Sequence, residues 1–198
     1  FPLFLEMMYL EPEMTQEFCD LYLKRGLAIA EKAIELGADV LLVCSDWAFN
    51  SGPMASPGLI RKYWIPQIKA VADLCHKNGV FLVKHTDGNI MKIADDFVNM
   101  GIDGYQGIEP NAGMNLAEMK KLYGDKILFM GNVDCGRTLP FGTPEEVIEE
   151  TKQCIRDGAP GGGYILSSCN TIQKSVPLEN YMAMIETAHK YSKYPINV

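Results

Sequence analysis

One unit repeats along this 198-residue chain: a short apolar run, a polar loop and an amphipathic helical segment. The apolar runs lie at Asp39–Ser45, Val80–His85, Gly104–Ile108, Lys126–Met130 and Gly163–Ser167. Strands that alternate with helices at this spacing form parallel βαβ units. Nearly continuous apolar strands are typical of sheets that are covered on both faces. The repeat therefore predicts an α/β fold with about five parallel strands.

The helical segments carry signals for their ends. Ser56 and Pro57 predict the start of a helix that runs to about Asn78, and Gly79 suits its left-handed end. The residues at 143–146 have the Thr-x-x-Glu pattern of a capping box, with Pro in the first turn. Further helices are predicted near 13–36, 90–100, 116–123 and 177–190.

Two architectures fit these units. A closed barrel has eight of them in roughly 250 residues, so five units indicate either an incomplete barrel or an open doubly wound sheet. Polar residues follow every predicted strand, at the edge where barrel active sites are built. This favours a partial TIM (β/α)8 barrel with about five parallel βα units.

The organisation of the chain predicts one domain over residues 1–198, because no linker or low-complexity segment divides it. The chain opens with Phe1-Pro2-Leu3 instead of an initiator Met, and we interpret it as a C-terminal fragment of a larger barrel. An open barrel leaves strand edges unpaired. We therefore expect a homodimer or a larger parent protein.

Charge and cysteine usage exclude several classes of protein. A net charge of −7 without a basic cluster argues against nucleic acid and against anionic lipid surfaces. No signal peptide opens the chain, and no apolar run reaches the roughly 18 residues that a bilayer span needs. Six cysteines without a C-x-x-C pair indicate reduced thiols. These features predict a cytoplasmic protein.

The strongest local feature is the segment from His85 to Asn89, at the carboxyl end of a predicted strand. Side chains at positions i and i+2 of a strand point to the same face, so His85 and Asp87 can converge. An imidazole and a carboxylate on one face suit a divalent metal, or a general base with its orienting partner. The alternative is a simple turn in which Asp87 caps the next helix.

Each of the other predicted strands also ends in polar residues. These groups are Ser45-Asp46-Trp47, Glu109-Pro110-Asn111, Asn132-Val133-Asp134 and Ser168-Cys169-Asn170. Together with His85 and Asp87, Cys169 would make three protein ligands and leave one position open, as catalytic zinc requires. The alternative is a buried free thiol at Cys169.

Several of these segments, in this order, resemble the uroporphyrinogen decarboxylase superfamily. They are Gly37-Ala38-Asp39 with Asp46-Trp47-Ala48, His85-x-Asp87-Gly88, Gly131-Asn132-Val133-Asp134, Gly163-Tyr164-Ile165-Leu166 and Pro177-x-Glu179-Asn180. The resemblance implies a TIM barrel and one of two activities, decarboxylation of a porphyrinogen or methyl transfer that depends on a corrinoid or coenzyme M. Decarboxylases carry Gly-His-Gly where this chain has Ser168-Cys169-Asn170, and usually Ser where Asp46 stands.

The resemblance is closer to the zinc methyltransferases of the superfamily, which bind zinc through His-x-Cys-Gly and a later Cys. It implies a zinc or other divalent metal held by His85, Asp87 and Cys169, with Asp87 in place of the middle Cys. The further residues that it implies are Glu109 and Asp46 in catalysis and Trp47, Asn89 and Asn132 in substrate binding.

The resemblance also implies the partners, namely a corrinoid protein and a small-molecule methyl donor such as a methoxylated compound. Two alternatives remain open. One is decarboxylation of a tetrapyrrole without a metal, with Asp46 or Asp87 steering pyrrole N–H groups. The other is a non-catalytic corrinoid-binding barrel, although the sequence has no Asp-x-His-x-x-Gly cobalamin-ligand motif.

Overall fold

The architecture comes from a computed structural model that describes residues 2–198. The strands are β1 (Val40–Cys44), β2 (Ala48–Phe49), β3 (Gly52–Pro53), β4 (Phe81–Thr86), β5 (Gly104–Gly107), β6 (Leu128–Val133) and β7 (Tyr164–Ser168). Five of them form one parallel sheet in the order β1-β4-β5-β6-β7, and β2 pairs with β3 in a small antiparallel hairpin. The prediction of five parallel strands is confirmed.

The helices that the sequence predicts are present, together with two that it does not predict, at 2–10 and 138–141. They are α1 (Pro2–Leu10), α2 (Pro12–Glu35), α3 (Pro57–Leu59), α4 (Ile65–Lys77), α5 (Ala94–Val98), α6 (Leu116–Tyr123), α7 (Thr138–Phe141), α8 (Pro144–Gly158) and α9 (Leu178–Tyr191). A π-helical turn, Ile60–Trp64, joins α3 to α4. The capping box at the start of α8 is confirmed, since Thr143 and Glu146 each accept a hydrogen bond from the other's backbone N–H.

The strand order decides between the two architectures that the sequence left open. The five parallel strands neighbour one another in chain order, with no point at which the order reverses. A doubly wound sheet requires such a reversal, because its helices cover both faces. The sheet is therefore a partial (β/α)8 barrel wall, as predicted.

The two faces of this wall differ in burial. Leu82, Tyr105 and Phe129 face the helices and are fully buried. On the opposite face, which carries His85, Val40 is 50% exposed and Ile165 is 47% exposed. The prediction that both faces are covered is thus wrong for this sheet, and the apolar residues of the uncovered face occupy the positions that point into a closed barrel.

The hairpin of β2 and β3 was not foreseen from the sequence, and it packs against the turn that follows β4. The backbone N–H of Asn89 donates to the carbonyl of Phe49 at 2.9 Å. Gly88 has a φ of +81°, and a Cβ atom at this position would lie only 2.2 Å from the carbonyl oxygen of Ala48. Glycine is therefore required here for both backbone conformation and space.

None of the helices between residues 2 and 198 combines the length and the apolarity that crossing a bilayer demands.

The close approach at Gly88 predicts a difference between two glycine substitutions. Gly79→Ala places a methyl group in open space at a φ of +71°, so it should cost only the left-handed backbone penalty of about 1–2 kcal/mol. Gly88→Ala adds a collision with Ala48 and should lower the free energy of unfolding by about 1–3 kcal/mol more. Urea denaturation of both variants checks this, and equal losses would contradict the packing described.

Candidate functional site

Three side chains converge at the carboxyl end of the sheet. Asp46 follows β1, His85 is the penultimate residue of β4, and Asp87 follows β4. The parallel register places Cys44 opposite His85, which brings Asp46 beside the β4 strand end. One ligand atom from each of the three side chains lies within 4.8 Å of the others. His85 Nε2 lies 3.7 Å from Asp46 Oδ1 and 3.6 Å from Asp87 Oδ1.

The orientation of the His85 ring is set by Gln106 on the next strand, whose position pairs with His85 in the sheet register. The amide nitrogen of Gln106 donates to the carbonyls of Ser168 at 3.3 Å and Cys169 at 3.2 Å. This leaves Gln106 Oε1 to accept from His85 Nδ1. An imidazole that is protonated at Nδ1 presents Nε2 to the two carboxylates, which is how second-sphere groups orient a metal-binding histidine.

The two carboxylates are held in different ways. Asp87 Oδ2 accepts a hydrogen bond from the Asn170 amide, whereas Asp87 Oδ1 is buried and has no hydrogen-bond partner among the described residues. Asp46 is nearly half exposed, and its Oδ1 accepts from the backbone N–H of Asp87 at 3.1 Å. The site therefore contains a buried anionic oxygen that lacks a donor.

The electrostatic environment favours positive charge at this point. Burial by itself lowers the pKa of His85, but the nearby Asp87 carboxylate, together with the Gln106 hydrogen bond and the charge of Asp46, raises the pKa above its ordinary value. The negative potential that stabilises a protonated His85 would also stabilise a metal cation bound to the neutral His85 imidazole.

The donor set fits a divalent metal. Imidazole nitrogen and carboxylate oxygen both bind zinc at about 2.0–2.2 Å, which separates tetrahedral ligand atoms by roughly 3.3 Å. The 3.6 Å and 3.7 Å separations from His85 Nε2 are near this value and too long for direct hydrogen bonds. Asp46, His85 and Asp87 are thus the residues that could hold a metal here.

Cys169 does not join this group, which corrects the ligand set expected from the sequence. Its side chain is 3% exposed, and its Sγ accepts from the backbone N–H of Cys135 at 3.3 Å. Hydrogen bonding with Cys135 and burial raise the pKa of the Cys169 thiol. The chain turns after β7 so that Asn170, not Cys169, reaches Asp87. The expected set therefore loses Cys169 and gains Asp46.

Glu109, which we expected to assist catalysis, is partly buried beside the cluster. Its Oε2 accepts from the backbone N–H of Gly88 at 2.9 Å. The carboxylate thus supports the turn that follows Asp87. In this arrangement, Glu109 orders the loop after β4, which carries Asp87.

The three residues expected to bind substrate have internal partners. Trp47 is 4% exposed and packs in the core against Trp64 in a tilted arrangement and against Phe97 edge to face, at centroid distances of 5.5 Å and 5.7 Å. Asn89 donates to Ala112 and accepts from Met91, so it orders its loop. The position of Trp47 contradicts a pocket-lining role, because its indole is enclosed by other side chains.

Asn132 is buried and donates to the carbonyl of Ile108 at 3.0 Å. Ile108 has a φ of +56°, a strained conformation for a β-branched residue, and this contact helps to hold it. Asn132 also lines a cleft of about 770 Å³ near α6 and α8. That cleft excludes Asp46, His85 and Asp87 and is lined by many carboxylates, so it is separate from the convergent cluster.

Sequence reasoning missed two members of the site. Gln106 lies between Tyr105 and Gly107 in a short strand, where its sequence neighbours give no sign of its partner. Lys84 is a charged residue inside an apolar run, and that break in the pattern could have identified it. Lys84 is fully buried, and burial lowers its pKa to about 7.

The chain is similar in sequence to curated proteins of two kinds, a decarboxylase and a methyltransferase. The uroporphyrinogen decarboxylase of Actinobacillus succinogenes is 25% identical over 191 residues, which cover 95% of this chain and 51% of that protein. The methylcobamide:CoM methyltransferase MtaA of Methanosarcina barkeri is 27% identical over 183 residues, which cover 90% of this chain and 50% of that protein. The chain thus spans about half the length of the curated relatives it matches.

The fold has a solved counterpart in a methyltransferase from Methanosarcina mazei. The two superpose with a TM-score of 0.81 at 21% identity, over 96% of this chain and 53% of that one. In addition, the family model for uroporphyrinogen decarboxylase (URO-D) matches residues 1–191. Because this match extends over nearly the whole sequence, the chain belongs to the uroporphyrinogen decarboxylase (URO-D) family.

Proposed function

We propose that the chain is part of a corrinoid-dependent methyltransferase of the URO-D family, with Asp46, His85 and Asp87 as ligands of zinc or another divalent metal. The convergence of these three side chains within 4.8 Å is the observation on which the proposal depends. Burying a carboxylate oxygen without a donor is costly, and a bound cation would offset that cost at Asp87 Oδ1.

A divalent metal at this site would supply Lewis-acid polarisation of the heteroatom that carries the methyl group, or of an anionic acceptor. The residues of the chain would position the ligands. Gln106 keeps Nε2 of His85 pointed at the carboxylates, and Asn170 fixes Asp87. Such preset orientation matters because methyl transfer is an in-line displacement whose rate depends on positioning.

The partner in this proposal is a corrinoid protein, and the second substrate is a small methyl donor. In O-demethylation, the partner's corrinoid in its cob(I) state would supply the electron pair that accepts the methyl group, and the oxygen that is released would take a proton from solvent. The name of the M. barkeri relative, a methylcobamide:CoM methyltransferase, supports the corrinoid partner. The catalytic role for Asp46 expected from the sequence becomes, in this proposal, a metal-ligand role.

Decarboxylation of uroporphyrinogen is the second candidate. Its support is the similarity to the A. succinogenes enzyme, which is nearly as high as that to the methyltransferase. Asp46 is 48% exposed and could accept pyrrole N–H groups without a metal. The two candidates differ in their need for a metal and in their products.

Zinc binding tests the proposed ligand set. After dialysis against zinc, the protein should retain about one equivalent, and His85→Gln or Asp87→Asn should weaken binding by at least about 100-fold. Each variant removes one of three donors. Metal analysis and competitive titration with a chromophoric chelator measure both quantities.

Matched substitutions outside the site distinguish the loss of a metal ligand from a general change in the charge of the protein. His189→Gln and Asp73→Asn change an exposed histidine in α9 and an exposed carboxylate in α4, and neither should alter zinc affinity. Cys169→Ser should change affinity by less than about tenfold, because its thiol faces Cys135. A loss with Cys169→Ser as large as that with His85→Gln would contradict the ligand set.

Product analysis tests the reaction itself. The zinc-loaded full-length protein should transfer a methyl group from methylcob(III)alamin to 2-mercaptoethanesulfonate, or from 2-methoxyphenol to cob(I)alamin. His85→Gln should reduce the rate by at least about 100-fold. Absorbance of the cobalamin follows the transfer. Conversion of uroporphyrinogen to coproporphyrinogen by the metal-free protein, without methyl transfer, would establish the second candidate instead.

A further inference from the structure

Lys84 has an ionisable side chain on the covered face of β4. It faces the helix layer together with Leu82, and its side chain is 0% exposed. Removing an amine from water is unfavourable unless its hydrogens find acceptors. The contacts that Lys84 makes therefore indicate what the residue does.

The amine of Lys84 bridges two strand ends. Its Nζ donates to the carbonyl of Ser45 at 2.6 Å and also to the carbonyl of His85. It lies 5.1 Å from the ring centroid of Trp47. Ser45 immediately precedes Asp46, so both bridged carbonyls belong to the segments that carry the candidate ligands.

The bridge lies where the ordinary pairing of β1 and β4 becomes weak. The last hydrogen bond of this ladder, from Ser45 N–H to the His85 carbonyl, is 3.4 Å long. Beyond this point the two segments leave the sheet, and Asp46 and Asp87 begin to contact each other. The Lys84 amine, which donates to both carbonyls, therefore holds the two strand ends together where the backbone hydrogen bonds between β1 and β4 become long.

The bridge does not require a particular charge on Lys84. An ammonium group has three hydrogens and a neutral amine has two, so either form can donate to both carbonyls. Because the side chain is enclosed, it cannot touch a substrate or a metal itself. Apart from its charge interaction with Asp46 and Asp87 and its contact with the Trp47 ring, Lys84 acts on the site through the backbone carbonyls of Ser45 and His85.

We propose that Lys84 is a positioning residue, which sets the separation of Asp46 from His85 and Asp87 by fixing the ends of β1 and β4. The proposal rests on the proposed function only in taking these three side chains as metal ligands. It predicts that the affinity for zinc depends on a residue that makes no contact with the zinc.

The test is the substitution Lys84→Met, which fills a similar volume but cannot donate a hydrogen bond. We expect zinc affinity to fall by about 10–100-fold, the usual effect of losing a supporting contact. The unfolding midpoint should not fall, since an apolar side chain suits the enclosed position. Lys120→Met is the control, because Lys120, although only partly buried, likewise donates to a backbone carbonyl, that of Gly162. It should leave zinc affinity unchanged.

A second measurement needs no metal and therefore remains informative if the proposed function fails. Hydrogen exchange of the metal-free protein should show the Asp87 amide, which donates to Asp46, exchanging at least about tenfold faster in Lys84→Met. The Phe129 amide in β6 should be unaffected. If Lys84→Met does not fold, Lys84→Gln serves in both experiments, since its amide is too short to reach both carbonyls.

Unchanged zinc affinity together with unchanged exchange at Asp87 would overturn the positioning role. If the unsubstituted protein binds no zinc, an unchanged exchange rate of the Asp87 amide in Lys84→Met would by itself overturn the positioning role. Tight zinc binding without any methyl transfer would instead contradict the proposed function and leave the role of Lys84 intact.

Discussion

The parallel pairing of β1 with β4 is the constraint on which the candidate site depends. Its register places Cys44 opposite His85, and the residues that follow both strands then leave the sheet at the same level. Asp46 and Asp87 are 41 positions apart in sequence but are joined by a hydrogen bond of 3.1 Å. A shift of one residue would turn the side chains to opposite faces of the sheet, so the cluster requires this register.

Much of the fold could be predicted from the chain, because each element has a local cause. Each signal involves residues that are close together in the sequence. Examples are the capping box at Thr143, the helix start at Ser56-Pro57 and the apolar runs that form the strands. The choice of a barrel wall over a doubly wound sheet was favoured by the polar strand ends, and the strand order confirms it. The β2–β3 hairpin was missed because it depends on tertiary contact with the turn at Gly88.

The site was predicted less completely, and the reason is physical. His85 and Asp87 converge because strand geometry alone puts them on one face. The direction of Cys169 depends on how the chain turns after β7, and the local sequence does not encode that turn. Gln106 acquires its role by pairing with His85 across the sheet, and Trp47 is drawn into the core by Trp64 and Phe97. Such long-range contacts cannot be read from spacing.

A zinc site formed by Asp46, His85 and Asp87 differs from a cysteine-based zinc site in the elements bound to the metal, which spectroscopy can measure directly. X-ray absorption at the zinc edge of the loaded protein reports which elements surround the metal. Coordination by Asp46, His85 and Asp87 predicts only nitrogen and oxygen neighbours, at about 2.0–2.2 Å. A sulfur neighbour at about 2.3 Å would contradict it, because a thiol such as that of Cys169 would then be a ligand.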